Sequence, residues 1–260
     1  MVIMTKYDII IIGAGIAGMT AAIYAVRAGK KVLVLESQVE GGQIINTINI
    51  ENWPGDLGIS GADLSQKIRA HAAELGAAFD YASVTKITQV GSAWEVLGDD
   101  ETFTASALII ATGTNPRKMS AKQSASAGDK PISYCATCDG ALYKGKPVVV
   151  VGSGNTAKHE TAYLENIASK VYHIHHDDPI PVDAAAVFVA IGRVPGTEFC
   201  RGVVDLDENG YIISDENCQT STPGIFVAGD CRTKSLRQLV TAASDGAIAA
   251  TGAINYLNQT

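Results

Sequence analysis

The stretch Ser133-Tyr-Cys135-Ala-Thr-Cys138-Asp139-Gly140 places two thiols three residues apart with a carboxylate directly behind them. A CxxC pair can close a readily reduced disulfide or hold zinc. Structural zinc takes four ligands, and the sequence has no second CxxC; only His173, His175 and His176 stand in reserve. No metal is expected. The other cysteines, Cys200, Cys218 and Cys231, are scattered and make the total odd, which does not describe a secreted disulfide framework. An exchange-active dithiol of Cys135 and Cys138 is the expectation. Asp139 is placed to move a proton as a thiolate forms or leaves; its plainer reading is a turn residue before Gly140.

Two glycine loops supply a second chemistry. Residues 7–36 read YDIIIIGAGIAGMTAAIYAVRAGKKVLVLE: an apolar strand, Gly13-Ala-Gly15-Ile16-Ala17-Gly18, a helix of small residues, and a second strand ending at Glu36. Gly13 makes the tight turn, Gly15 lets the backbone approach a pyrophosphate, and Gly18 lets helix pack on strand. The helix N-terminus then offers free N–H groups to the phosphates. Glu36, 23 residues after Gly13, is in place to accept from ribose hydroxyls. A second copy begins at Gly152, with strand 147–151, Gly152-Ser-Gly154-Asn-Thr-Ala157, a helix, and strand 171–175. The same spacing lands there on His175, followed by His176-Asp177-Asp178.

These motifs need two strand–helix–strand frames to hold them. Apolar strands closing in glycine recur at 107–113 and 186–192. Gly13 to Gly113 spans 100 residues and Gly152 to Gly192 only 40, so the second frame is 60 residues shorter. Residues 222–257 add a strand, a Gly229-Asp230 turn and a helix from about Leu236. The expected fold is α/β with two Rossmann-like domains, the second inserted in the first and strongly shortened. Residues 1–117 and 183–260 form the discontinuous first domain, and 118–182 the insert carrying CxxC.

The bulk properties exclude several classes. A net charge of −7 argues against nucleic acid. No apolar run reaches the roughly 18–20 residues of a membrane span. The first apolar run, 9–12, leads straight into a glycine loop rather than a leader cleavage site. A cytoplasmic protein is expected.

Together GAGIAG with Glu36, GGQI at 41–44, ENWPG at 51–55, ATGTNPRK at 111–118, CATCDG at 135–140, VAIGRVPGT at 189–197 and GIFVAGD with Arg237-Gln238 resemble the low-molecular-weight thioredoxin reductases over nearly the whole chain. The resemblance implies FAD in the first domain, held by Gly13, Gly15, Ile16, Ala17 and Gly18 at the pyrophosphate and by Glu36 at the adenosine ribose. It implies that Gly42, Gln43, Ile44, Thr47, Asn52, Val84, Ala111, Thr112 and Gly113 line the cofactor. Gly229 and Asp230 would meet the ribityl chain, with Arg237, Gln238 and Leu239 along the flavin. It further implies that Cys138 faces the flavin, that Cys135 attacks the disulfide of thioredoxin, that Asp139 is the acid–base group, and that the chain forms a homodimer.

The second glycine loop departs from the family, which binds NADPH there with a His-Arg-Arg segment. His175 matches the His, but His176 and Asp177 stand where arginines belong. Arginine is the natural partner of a phosphate dianion, and at 4 Å a unit charge pair is worth about 4 kcal/mol at an effective dielectric of 20. No carboxylate occupies position 175 to accept NADH's ribose hydroxyls, and Pro179 discourages the strand from running on to Asp177 and Asp178. The loop is expected to survive as a tight βα turn.

The resemblance therefore narrows to the pyridine-nucleotide-independent, ferredoxin-dependent flavin thioredoxin reductases. Plant-type ferredoxins near about −400 mV can drive thioredoxin near about −270 mV. A flavin can take electrons singly and pass them on in pairs. Residues 117–146 carry Arg117, Lys118, Lys122, Lys130, Lys144 and Lys146 against Asp129 and Asp139, a local +4 that could steer an acidic partner; a solvated lysine-rich loop is the plainer reading. The rivals are an NADPH-dependent thioredoxin reductase with an atypical nucleotide domain, an FAD-dependent dithiol oxidase using oxygen, and a flavin-loaded redox sensor.

Overall fold

The computed structural model describes residues 6–99, 101–175 and 178–259. The chain divides into two compact units, Asn115–Val194 and the remainder on either side of it.

The first unit opens with β1 (Lys6–Ile12), α1 (Ile16–Arg27), β2 (Val32–Glu36), α2 (Gly61–Glu74) and β3 (Ala78–Tyr81). The hairpin β4 (Lys86–Val90) and β5 (Ala93–Leu97) leads into the long β6 (Thr102–Ile110), and β7 (Thr114–Pro116) follows. The strands run in the order β3-β2-β1-β6-β5-β4. β1 is parallel to β2 and β6, with Ile9 to Ile12 facing Val32 to Leu35. These strands are buried on both faces, which is why they read as unbroken Ile/Val/Leu runs.

The inserted unit holds α3 (Ala121–Ala127), β8 (Ile132–Ser133), α4 (Ala136–Asp139), β9 (Pro147–Val151), α5 (Asn155–Glu165), β10 (Lys170–Ile174) and β11 (Val187–Val189). Its four-stranded sheet, order β10-β9-β11-β8, is parallel throughout. The expected boundary at 182/183 moves to Val194/Pro195. The physical reason is β11, whose Val187 and Val189 pair with Val149 and Val151 and close this sheet.

The chain then passes β12 (Arg193–Pro195), which pairs with β7 in a two-stranded sheet, and returns to the first unit. β13 (Ile225–Val227) joins the C-terminal half of β6 in parallel, while β5 takes its N-terminal half antiparallel. α6 (Leu239–Gln259) completes the unit.

α6 starts at Leu239 rather than about Leu236. The Thr241 hydroxyl takes the Gln238 N–H at 3.1 Å, and the Ala242 N–H reaches Gln238 O at 2.9 Å, so the first turn closes on Gln238. α1 and α6 approach at their backbones. A Cβ on Gly246 would lie 2.2 Å from Ala17 O, so only glycine allows this crossing. Ala17, Ala21, Ala22, Ala249, Ala250 and Ala253 fill the same core. Among the described residues no helix is long and apolar enough to cross a membrane.

Candidate functional site

The first unit builds a cradle around the β1–α1 turn. A Cβ on Gly13 would sit 2.4 Å from Ala111 O and one on Gly18 2.0 Å from Gly13 O, so these two glycines answer to the protein's own packing. Gly15 does not. A Cβ there would meet nothing within 4 Å, and its φ of −74° suits any residue. Gly15 caps α1 with no side-chain cap, and the first turn holds no acidic residue, so no side chain of the protein satisfies the backbone donors at this helix N-terminus. That is the geometry a pyrophosphate needs, and the residues present fit a dinucleotide.

Glu36 borders the same space. Its Oε2 accepts the Ala14 N–H at 2.9 Å, and its Oε1 accepts from Ser37 and Gln38 at 2.8 and 3.0 Å. These bonds fix the carboxylate at the end of β2. The 3-10 turn Gly42–Asn46 lies against the loop through a Gly15–Gly41 bridge, and a Cβ on Gly42 would come 3.5 Å from Gly15 Cα. Gln43 donates its amide to Thr114 O. Ile44 and Thr47 turn the chain towards α2 through Thr47 N–H to Ile44 O and Gly61 N–H to Thr47 O, both 2.8 Å.

Other expected residues converge on the same unit. Asn52 donates to the Gln238 side chain at 3.1 Å, joining two segments 186 residues apart. Ala111 follows β6, bonded to Ile12 O at 2.8 Å; Thr112 and Gly113 come next, and Val84 packs half-buried on the core beneath β1 and β6. Gly229 gives its N–H to the buried Asp245 at 3.1 Å, with half-buried Asp230 next to it. Arg237 precedes α6. Its guanidinium bonds Asp230 O at 3.2 Å and Arg232 O at 3.0 Å and stacks over Tyr211 at 4.3 Å, so it clamps the 230–237 loop. Leu239 packs on Ile16 and Met19 at the start of α6.

The inserted unit carries the sulfur chemistry. Cys135 and Cys138 form a disulfide. Cys135 caps α4, and its Sγ accepts the Cys138 N–H at 3.2 Å. Cys138 is exposed and Cys135 half-buried. Ser133 organises the turn: its hydroxyl donates to Asp139 Oδ2 at 2.6 Å and accepts the Cys135 N–H at 3.1 Å. Asp139's charge and, ahead of it, burial push the Tyr143 hydroxyl up from its ordinary pKa. Ser133 was not singled out from the sequence; a hydroxyl two residues before a redox cysteine is its only sign.

Glu160 was missed as well. It stands on α5 between the buried Ala157 and Leu164, on the stripe where an apolar residue belongs. Burial pushes its carboxyl up to about 7, opposed by the nearby Ala136 N–H and by the charge of Arg193. A carboxylate at an apolar heptad-like position was the available signal.

The second glycine loop repeats the first. A Cβ on Gly152 would sit 2.4 Å from Ala190 O, one on Gly154 would meet nothing, and α5 likewise has no side-chain cap. The Gly152 N–H reaches Ile174 O at 3.0 Å as the Gly13 N–H reaches Leu35 O at 2.7 Å, so His175 occupies the position of Glu36. Its own N–H is held by Asp178 Oδ2 at 2.9 Å. His176 and Asp177 lie outside the described residues. His173 Nε2 lies 2.8 Å from Gly152 O. The loop is more than a closed turn: it borders a cavity of about 620 Å³ lined by Lys118, Gln123, Gly152, Gly154, Thr156 and Ile191. Among the described residues no cluster of three His, Cys, Asp or Glu side chains could hold a metal.

Residues 7–182 and 176–246 match the model of the pyridine nucleotide-disulphide oxidoreductase family. A thioredoxin reductase of Listeria innocua is 37% identical over 303 aligned positions, covering 97% of this chain and 94% of the relative. The alignment is longer than the chain, so the relative carries residues that this sequence omits. The crystal structure of a thioredoxin reductase from Streptococcus pyogenes superposes with a TM-score of 0.90 at 33% identity, covering 98% of this chain and 99% of that one. A ferredoxin-flavin thioredoxin reductase from Clostridium acetobutylicum superposes with a TM-score of 0.64 at 28% identity, covering 98% and 99%.

Proposed function

From the premise that the chain belongs to the pyridine nucleotide-disulphide oxidoreductase family, whose cofactor is FAD, we propose that it reduces the disulfide of thioredoxin and draws its electrons from reduced ferredoxin. FAD supplies the link between a one-electron donor and a two-electron disulfide. In this reading the Gly13–Gly18 loop and the start of α1 hold its pyrophosphate, Glu36 its adenosine ribose, and Asp230 its ribityl chain. Gly42 to Thr47, Asn52, Val84, the Ala111–Gly113 turn and the 237–239 segment line the rest.

The chemistry at sulfur falls to the inserted unit. Two electrons open the Cys135–Cys138 bond. Cys135 attacks the partner disulfide as a thiolate, favoured by the Cys138 N–H on its sulfur. Cys138 then resolves the mixed disulfide and releases the reduced partner. Asp139, held by Ser133, gives and takes the proton.

What carries the choice of donor is the end of β10. His175 stands where Glu36 stands in the first unit, and the carboxylate of Asp178 lies on its N–H. A nucleotide arriving there meets negative charge in place of arginine. The second reading is an NADPH-dependent reductase, favoured by the cavity that remains at the second glycine loop.

One anaerobic experiment separates the two readings. The protein is given reduced ferredoxin or NADPH, and thioredoxin dithiol is measured. Dithiol with ferredoxin alone is expected. Rapid bleaching of the flavin by NADPH with thioredoxin turnover would replace this reading by the second. In keeping with its donor and acceptor, the enzyme is proposed to work in the cytoplasm as a homodimer.

A further inference from the structure

The Cys135–Cys138 turn has a second acid beside it. Glu160 stands on α5, which packs against α4, and its carboxyl lies near the backbone of Ala136, the first residue inside the CxxC turn. Its Oε2 oxygen is buried with no hydrogen-bond partner among the described residues. An unpaired buried carboxylate oxygen is costly, and the cost falls if the group takes a proton. We propose that Glu160 is a positioning residue of the redox pair which takes up a proton when the disulfide is reduced. This rests on the reading of Cys135–Cys138 as a redox pair and is independent of the electron donor.

The surroundings permit it. On the elements packed against α5, α4 carries Asp139, the 3-10 turn Gly140–Tyr143 carries Tyr143, β10 carries Lys170, Tyr172 and His173, and β9 carries no titratable group. α5 itself adds Lys158, His159, Tyr163 and Glu165. Arg193 is the cation that acts on Glu160, and burial outweighs it, so the carboxyl sits at about 7 with the disulfide closed. Reduction changes the charge next to it. Two electrons break the S–S bond, one proton converts one sulfur to a thiol, and the other sulfur remains a thiolate. That new negative charge raises the Glu160 pKa further, and a second proton, from water, goes to its carboxylate. Disulfide, carboxylate, two electrons and two protons thus become thiol, thiolate and carboxylic acid.

The sign follows from linkage. Below about pH 7 Glu160 is protonated in both states and adds nothing. Above it, the reduced form holds one more proton than the oxidised form until the raised pKa is passed. Each pH unit in that window then disfavours reduction about tenfold more than in a protein lacking the carboxyl.

The test is an equilibrium titration of the intact flavoprotein against dithiothreitol buffers from pH 6 to 9, by thiol trapping, for wild type and Glu160→Gln. The glutamine keeps the size of the side chain and removes the titrating carboxyl. The expected result is equal slopes below pH 7 and a steeper wild-type slope above it. Parallel slopes throughout would overturn the inference while leaving the redox pair standing; a disulfide that does not titrate reversibly would overturn both. If Glu160→Gln does not fold, the wild type decides alone. Its reduced-minus-oxidised infrared difference spectrum at pH 8 should gain a protonated carboxyl carbonyl band, and its absence sinks the proposal.

Discussion

Five thiols share one chain, and the fold sorts them. Cys200, Cys218 and Cys231 are buried and free, and burial pushes their thiols up to about 12, 11 and 11. Thiolate is the reactive form, so these three stay silent at neutral pH. A thiol count on the reduced native protein should give two, rising to five on denaturation; a native count above two would show that the buried set is accessible. Within the pair, the Cys138 N–H on Cys135 Sγ favours Cys135 as the attacking thiolate. Cys138→Ser should therefore trap a mixed disulfide with thioredoxin, and Cys135→Ser should trap far less; the reverse yields on a non-reducing gel would exchange the two roles. At this scale the sequence displayed the pair and Asp139 because they are adjacent. It hid Ser133 and Glu160, since a hydrogen bond from Ser133 to Asp139 or the burial of a Glu160 oxygen depends on how the turn and α5 fold, not on a motif.

Among the elements, close packing sorts the glycines into those that the protein's own backbone requires and those that it does not. A side chain at Gly15 meets no protein atom, whereas one at Gly246 meets Ala17 O at 2.2 Å. Gly15→Val should leave apoprotein stability within about 1 kcal/mol, as expected for a change at a helix cap, yet weaken FAD binding at least tenfold by filling the space over the α1 N-terminus. Gly246→Val should act in the opposite way. It forces α1 and α6 apart and should cost about 1–3 kcal/mol or more, read as a lower denaturant midpoint whether or not FAD is bound. Similar losses of both properties in the two variants would remove the distinction. The glycine loops and apolar strands were legible because a close backbone approach admits few residue types. The β4–β5 hairpin was not, since its strands Lys86–Val90 and Ala93–Leu97 are short and half exposed. Nor was the start of α6, which the Thr241 hydroxyl and the Arg237 clamp set at Leu239 against a helical pattern beginning earlier.

For the molecule as a whole, charge separates the inserted unit from its surroundings. The net charge is −7, yet residues 117–146 hold six cations against two carboxylates. Arg117, Lys118, Lys122, Lys144 and Lys146 are exposed in the structure. None of the five forms a salt bridge within the described residues. The insert's small size was legible from the 40-residue spacing between its glycines, but its true extent was not, because β11 belongs to it only through pairing with β9 and β8. An acidic ferredoxin should be steered to such a surface, and steering between exposed charges is screened within about 10 Å at 0.1 M salt. With ferredoxin as the proposed donor, the rate constant for flavin reduction should thus fall about tenfold between 0.01 and 0.2 M ionic strength. Reversing two charges, Lys144→Glu with Lys146→Glu, should lower it severalfold at low salt and flatten the salt dependence, while leaving reduction of the flavin by dithionite unchanged. A salt-independent rate in the wild type, or a double variant as fast as the wild type, would mean that the donor does not dock through this basic segment.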